Sequence, residues 1–287
     1  MEIKVSQNVS SKPCEVLVVN KFEGENTSVE LANQYAVEKD HFEGKFGETY
    51  LIHTLGQIPA DKVLIIGFGK KEEFDANKMR EAVAKAVKKL QQIKAKNACF
   101  DFDINADYGK SAAIGAMIAD YAFDKYKNKK ADRLDEITFA KFSEKEVAEG
   151  IIFANAMKLT RDLANEPAQF ATPSKLAEVA KNIEGIQTQI FEKDEIERMG
   201  MGAYLAVGQG SVQPPKFIHM KYTGKNVKKK IALIGKGICF DSGGLDLKPA
   251  SSMLTMRDDM SGAACVLGVM SAIAKLKPDV EVHGIIA

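Results

Sequence analysis

A chain of 287 residues is long enough for two domains of ordinary size, and 45% hydrophobic with 28% charged residues is the balance of a folded globular protein, so disorder is not the default reading. Forty basic against 39 acidic residues leave a net charge of +1, so no overall field draws the protein to nucleic acid or to an anionic membrane, and binding has to come from local sites. Cys14, Cys99, Cys239 and Cys265 show no CxxC spacing and sit in or beside apolar runs, the pattern of reduced thiols in a cytoplasmic protein and not of a disulfide framework.

The first ten residues alternate charged and apolar types without the long apolar stretch of a secretion signal. No uninterrupted apolar segment approaches the roughly 20 residues that cross a bilayer. The expected location is cytoplasmic, with no membrane partner. Short β-branched runs at 15–20, 50–54, 62–67, 98–102 and 136–139 predict strands. Between them, 77–94 repeats Met79, Ala82, Val83, Ala86, Val87 and Leu90 at three- and four-residue steps and predicts a helix, as does 111–126. This alternation predicts an α/β fold with a largely parallel or mixed sheet. Gly67-Phe68-Gly69 lacks the third glycine of a dinucleotide loop and runs into Lys70, Lys71 and Glu72, so it predicts an ordinary turn.

A long helix is expected from Ser143, whose hydroxyl caps it and with Glu146 completes a capping box. It carries Val147, Ile151, Ile152, Ala156 and Leu159 on one face and ends near Ala164. The expected organisation is an N-terminal domain over 1–142, a connecting helix over 143–164 and a second domain over 165–287. In the second domain Thr172 predicts an N-cap with Pro173 at the first helical position. Strand and helix signals follow at 189–191, 195–199, 203–207, 216–222, 230–235, 262–275 and 280–287. The last of these reads as a buried strand with no loop or helix after it, so the chain is expected to be part of a longer protein.

The chemistry concentrates in 231–260. An apolar strand, Ile231 to Gly235, runs into glycine-rich backbone carrying Lys236, Asp241 and Lys248, followed by Asp259 just before a helix. Ligands of open α/β sheets bind at the carboxyl ends of strands, and Gly237, Gly243 and Gly244 allow close approach of backbone to a ligand. Asp241 and Asp259 could converge on a divalent cation. The plain alternative is a tight turn followed by an N-capping aspartate. His41, His53, His219 and His283 show no metal-ligand spacing, so surface or core roles are expected for each. The basic runs at 125–130 and 225–230 read as solvated turns and not as nucleic-acid patches.

The run GKGICFDSGGLDLKP followed by MRDDMSGAA resembles the signature of the leucyl aminopeptidase (cytosol aminopeptidase) family, zinc or manganese exopeptidases. NEPAQFATPSKLAE and MGAYLAVGQGSVQPPKFIHMKY resemble the segments that lead to it. The resemblance implies an N-terminal macro-like α/β domain followed by the first part of a mixed-sheet metallopeptidase α/β domain. By position it makes Lys236, Asp241 and Asp259 ligands of two divalent metal ions, Zn or Mn, with Asp241 bridging and Lys236 a neutral amine. Lys248 becomes the catalytic lysine that stabilises the oxyanion, and Met256 lines the pocket for the first side chain; all five are expected at the substrate.

The implied function is release of N-terminal amino acids, with leucine-type preference, from peptides with a free N-terminus, by water activated between two metals and with bicarbonate as base. A homohexamer is implied as well. The family's NTDAEGR-like segment, which completes both metal sites, does not occur before Ala287, so this chain alone is expected to be inactive. Asp246 departs from the family's small or hydroxyl residue and adds a negative charge two positions from Lys248. Two other readings stay open: a non-catalytic protein binding nucleotide or DNA through the N-terminal domain, and another metal-dependent hydrolase such as a phosphatase. The enzyme reading requires Lys236, Asp241 and Asp259 to face one pocket.

Overall fold

The computed structural model describes residues 1–7, 9, 13–30 and 42–287; His41 lies outside them. Two compact units, Met1–Ala154 and Asn155–Ala287, divide the chain.

In the first unit, strands β1 (Glu2–Ser6), β2 (Cys14–Phe22), β3 (Thr49–His53), β4 (Ala60–Gly69), β5 (Asn97–Asp101) and β6 (Glu136–Ala140) form one sheet in the order β1-β6-β5-β2-β4-β3. All neighbours are parallel except β3, which runs antiparallel at the edge. The continuous apolar runs of β2 and β4 follow from burial on both faces. Val16, Val18, Leu64 and Ile66 join one core, and Leu17, Val19, Val63 and Ile65 join another on the opposite side.

Helix α1 (Ala76–Gln92) begins at Asp75, whose carboxylate accepts the amides of Asn77 and Lys78. Its six periodic apolar residues, Met79 to Leu90, are all buried, as the spacing predicts. Helix α2 (Gly109–Asp120) approaches it closely at Gly115, where a Cβ would meet Arg80 O at 2.4 Å. The predicted helix over 111–126 stops six residues early because Tyr121 turns to extended backbone, φ −64° and ψ 130°.

Two features of this unit depart from the sequence reading. Strand β1 was not expected, because a five-residue alternation of charged and apolar side chains is a weak signal until β6 supplies its partner. Gly67-Phe68-Gly69 is not a turn: β4 continues through it, and the 44–48 segment pairs alongside, with Gly67 N donating to Glu48 O at 2.8 Å and Gly69 N to Gly44 O at 2.9 Å. A Cβ on Gly67 would lie 2.1 Å from Lys45 O, so the glycine serves a backbone crossing.

Helix α3 (Glu144–Asn165) starts where expected, with Ser143 Oγ accepting the Glu146 amide at 3.5 Å. The division between the two units falls inside it, after Ala154.

In the second unit, α4 (Pro173–Lys181) carries the predicted cap, Thr172 accepting the Lys175 amide. Strands β7 (Gln187–Phe191), β8 (Phe217–Thr223), β9 (Lys230–Gly235) and β10 (Glu281–Ile286) form a mixed sheet in the order β7-β8-β10-β9. The segments at 195–199 and 203–207 fall in short helices α5 (Lys193–Arg198) and α6 (Gly202–Gly208).

Helix α7 (Ser261–Leu276) packs Ala263, Val266, Leu267 and Met270 in one core with Ile218, Met220, Val282 and Ile286 of the sheet. The run Ala250–Leu276 has the length and hydropathy of a membrane span, but it is interrupted by a 3-10 turn at Met256–Asp258, and the buried face of α7 accounts for its apolar composition. Cys14, Cys99, Cys239 and Cys265 are in no disulfide.

Candidate metal and active site

The site lies between the end of β9 and the start of α7. Small residues bring these two elements into backbone contact: a Cβ on Gly235 would meet Gly262 O at 2.5 Å, and one on Gly262 would meet Lys236 N at 2.8 Å. Ala263 N donates to Lys236 O at 2.9 Å, and Gly237 N donates to Ala287 O at 2.7 Å. The backbone of Lys236 is thus fixed from the helix side, and that of Gly237 from the strand side.

Beyond it the loop folds on itself. Gly243 and Gly244 take φ of +89° and +76°, and a Cβ on Gly243 would press on Asp246 O at 2.3 Å, so the turn tolerates only glycine there. Lys248 N closes it by donating to Ser242 O at 2.9 Å.

Two ion pairs result. Lys236 Nζ stands 2.8 Å from Asp259 Oδ2, and Lys248 Nζ stands 2.8 Å from Asp241 Oδ2. Lys248 Nζ also donates to Met256 Sδ at 3.0 Å, and Gly243 N donates to Asp241 Oδ1 at 2.9 Å. The five residues singled out in the sequence form two groups, Lys236 with Asp259 and Lys248 with Asp241 and Met256. Asp259 does not cap α7, whose first turn has Met260 at the cap without a side-chain bond. Lys248 pairs with Asp241 and not with Asp246, whose carbonyl lies against Gly243.

Asp259 holds the Lys236 ammonium above the usual lysine range, and Asp241 adds to the same field, so the amine becomes a metal ligand only where a bound cation displaces that proton. Asp241 is held below the usual carboxylate range by the Lys248 ammonium first and the Gly243 amide second.

The chemistry of the donors suits a divalent cation. Asp259 Oδ2 is buried and faces the Lys236 ammonium at 2.8 Å, with no donor besides that amine. A buried carboxylate oxygen in that state, beside an amine and a second carboxylate, is a donor set for a hard or borderline ion. It is an open, partial set: among the described residues no three His, Cys, Asp or Glu side chains gather into a metal cage.

Residues 6–130 match the model of the cytosol aminopeptidase family N-terminal domain, and residues 158–287 match that of its catalytic domain. The chain belongs to the cytosol aminopeptidase family. A probable cytosol aminopeptidase of Aquifex aeolicus is 43% identical over 261 residues, covering 87% of this chain and 52% of that protein. One of Persephonella marina is 41% identical, covering 86% and 53%. The chain thus spans about half the length of these curated relatives.

Among solved structures, the bottromycin maturation enzyme BotP in complex with Mn superposes with a TM-score of 0.83 at 27% identity, over 95% of this chain and 59% of that one. A tomato leucine aminopeptidase variant gives 0.83 at 24% identity, over 100% and 62%, which supports the shared fold. Membership confirms the recognised family and the mixed α/β architecture. The sequence reading missed Gly235 and Gly262 as supports of Lys236; a glycine ending a strand and another at the second residue of the following helix were the available signal.

Proposed function

We propose that the protein to which this chain belongs is a metal-dependent aminopeptidase releasing N-terminal amino acids from peptides with a free N-terminus. The convergence of Lys236, Asp241, Lys248, Met256 and Asp259 at one strand–helix junction carries this reading. Asp241 and Asp259 would hold the metal through their carboxylates, joined by Lys236 once its proton is displaced. Bound divalent ions, Mn or Zn, would supply a Lewis acid and a water of lowered pKa.

The chain's own contribution to the chemistry is positioning. Lys248 keeps an ammonium at the site, held by Asp241 and Met256, from which it would donate to the oxyanion of the attacked carbonyl. Met256 would offer an adaptable apolar wall to the first side chain, favouring leucine-like residues. With the partial donor set described above, we expect the 287-residue chain alone to lack turnover. The proposal extends to a cytoplasmic homo-oligomer, hexameric by resemblance, which light scattering on the longer protein tests.

The deciding experiment uses the protein carried to the length of its relatives. Leucyl anilide turnover with added Mn or Zn is expected, with metal binding lost in Asp241→Ala. In Lys248→Ala, kcat should fall by about 100- to 1000-fold with metal stoichiometry unchanged. Cleavage of phosphate esters but not anilides would overturn the peptidase reading, as would an Asp241→Ala variant that keeps both metal and turnover.

A further inference from the structure

The face of the second sheet opposite α7 carries a continuous polar chain that the candidate site does not use. His219 of β8 and His283 of β10 lie on diagonal positions of the antiparallel pair, with His219 Nε2 2.8 Å from His283 Nδ1. Their rings stack at 9° with centroids 5.1 Å apart. His283 Nε2 is 3.2 Å from Glu281 Oε1. Glu281 is 7% exposed and is also reached by Lys230 of β9 at 3.1 Å and by Lys221 of β8 at 3.2 Å. On the far side, β7 presents Gln187 and Gln189 opposite Lys221 and His219, and these carry no charge.

The hydrogen bonds fix the protons. An ionised carboxylate only accepts, so His283 carries its proton on Nε2 and presents a lone pair at Nδ1. His219 must then donate from Nε2. One added proton can be accommodated on His283, with His219 switching tautomer to accept. A second proton places two N–H groups face to face and two like charges within one stack, next to Lys221.

We propose that His219 and His283 form a one-proton latch across β8 and β10, so that acidification opens this strand pair and loosens the seat of Lys236. The route to Lys236 is short. β10 pairs with β9 through Ile286 and Gly235, and Ala287 O holds the Gly237 amide.

The sign of the pH effect follows from the direction of the His219 shift. Burial, then His283, then Lys221, hold this imidazole below its ordinary value of 6.5, so the unfolded chain takes the second proton more readily than the folded one. The latch contributes fully above 6.5 and is lost as pH falls from there toward the lowered folded value. Glu281, kept at about 2 chiefly by His283, Lys230 and Lys221, loses its own contribution only between 4.5 and about 2, so the two windows are separate.

The test is a ring-proton NMR titration of the whole chain, with urea midpoints and hydrogen exchange of β10 amides followed from pH 8 to 5. The His219 ring should titrate below 6.5. Exchange in β10, corrected for intrinsic rates, should accelerate as that step is crossed. His219→Gln keeps a donor toward His283 without titrating, so it should hold the neutral-pH midpoint and remove most of the acid loss. His283→Phe should return the His219 step toward 6.5, and His53→Gln should leave the acid loss unchanged. Titration of His219 at 6.5 or above, or an unchanged acid loss in His219→Gln, would overturn the proposal.

Discussion

In the first unit, β2 and β4 bury apolar side chains on both faces, and Phe22, Phe68, Phe74, Phe100, Phe102, Phe139 and Phe142 form a linked set of ring contacts within 4.5 to 6.5 Å. In the second unit, the loop between β9 and α7 leaves Leu245, Leu247 and Leu254 exposed and takes its shape from glycine contacts and two ion pairs. One region is held by volume and the other by backbone approach and charge. Substitutions should therefore separate, with losses of folding free energy in the first sheet and losses of binding or turnover in the loop.

The largest separation is expected from Phe100→Ala. Phe100 is fully buried between Phe102 and Phe139, and deleting its ring should cost about 3–5 kcal/mol in urea unfolding. Lys248→Ala, in the longer protein, should by contrast lower kcat by the 100- to 1000-fold proposed above while shifting the unfolding midpoint little, since Lys248 adds one half-exposed ion pair to the fold. A Lys248→Ala variant as unstable as Phe100→Ala would erase the distinction between the regions.

What the sequence revealed follows the same division. The buried face of α1 was readable residue by residue because helical periodicity is local and Met79 to Leu90 repeat it without interruption. The site residues were readable because they cluster within 24 positions, Lys236 to Asp259, in a family signature. Features that depend on a distant partner were not readable. β1 needs β6, 130 residues away in the chain, Gly67 is explained only by the crossing of the 44–48 backbone, and His219 meets His283 only through the register of β8 with β10. The pairing of Lys236 with Asp259 was not readable for a related reason: it depends on the contact between the end of β9 and the start of α7.

Gly262→Ala sharpens the comparison at intermediate size. Its methyl would lie 2.8 Å from Lys236 N and 3.2 Å from Lys236 O, too close without moving β9 against α7. Overpacking of this kind costs about 1–3 kcal/mol. Here it should appear as weakened divalent-ion binding by calorimetry of the longer protein, because the displaced atoms are the backbone of a proposed ligand. Binding equal to that of the parent would show that the loop adjusts independently of the helix.

The smallest expected effect compares like with like across the two units. Asp75 caps α1 by accepting two amides, from Asn77 and Lys78, whereas Thr172 caps α4 by accepting one, from Lys175. Each replacement by alanine should cost about 1 kcal/mol, within a range of about 0.5–2. Asp75→Ala should sit at the upper end, because it exposes two amide donors and removes a negative charge from the positive end of the helix. Added salt should narrow the difference, since it screens the charge–dipole part of the Asp75 contribution and leaves the neutral Thr172 bond unaffected. Equal costs at low salt would mean that the second amide at Asp75 is satisfied as well by water as by the carboxylate.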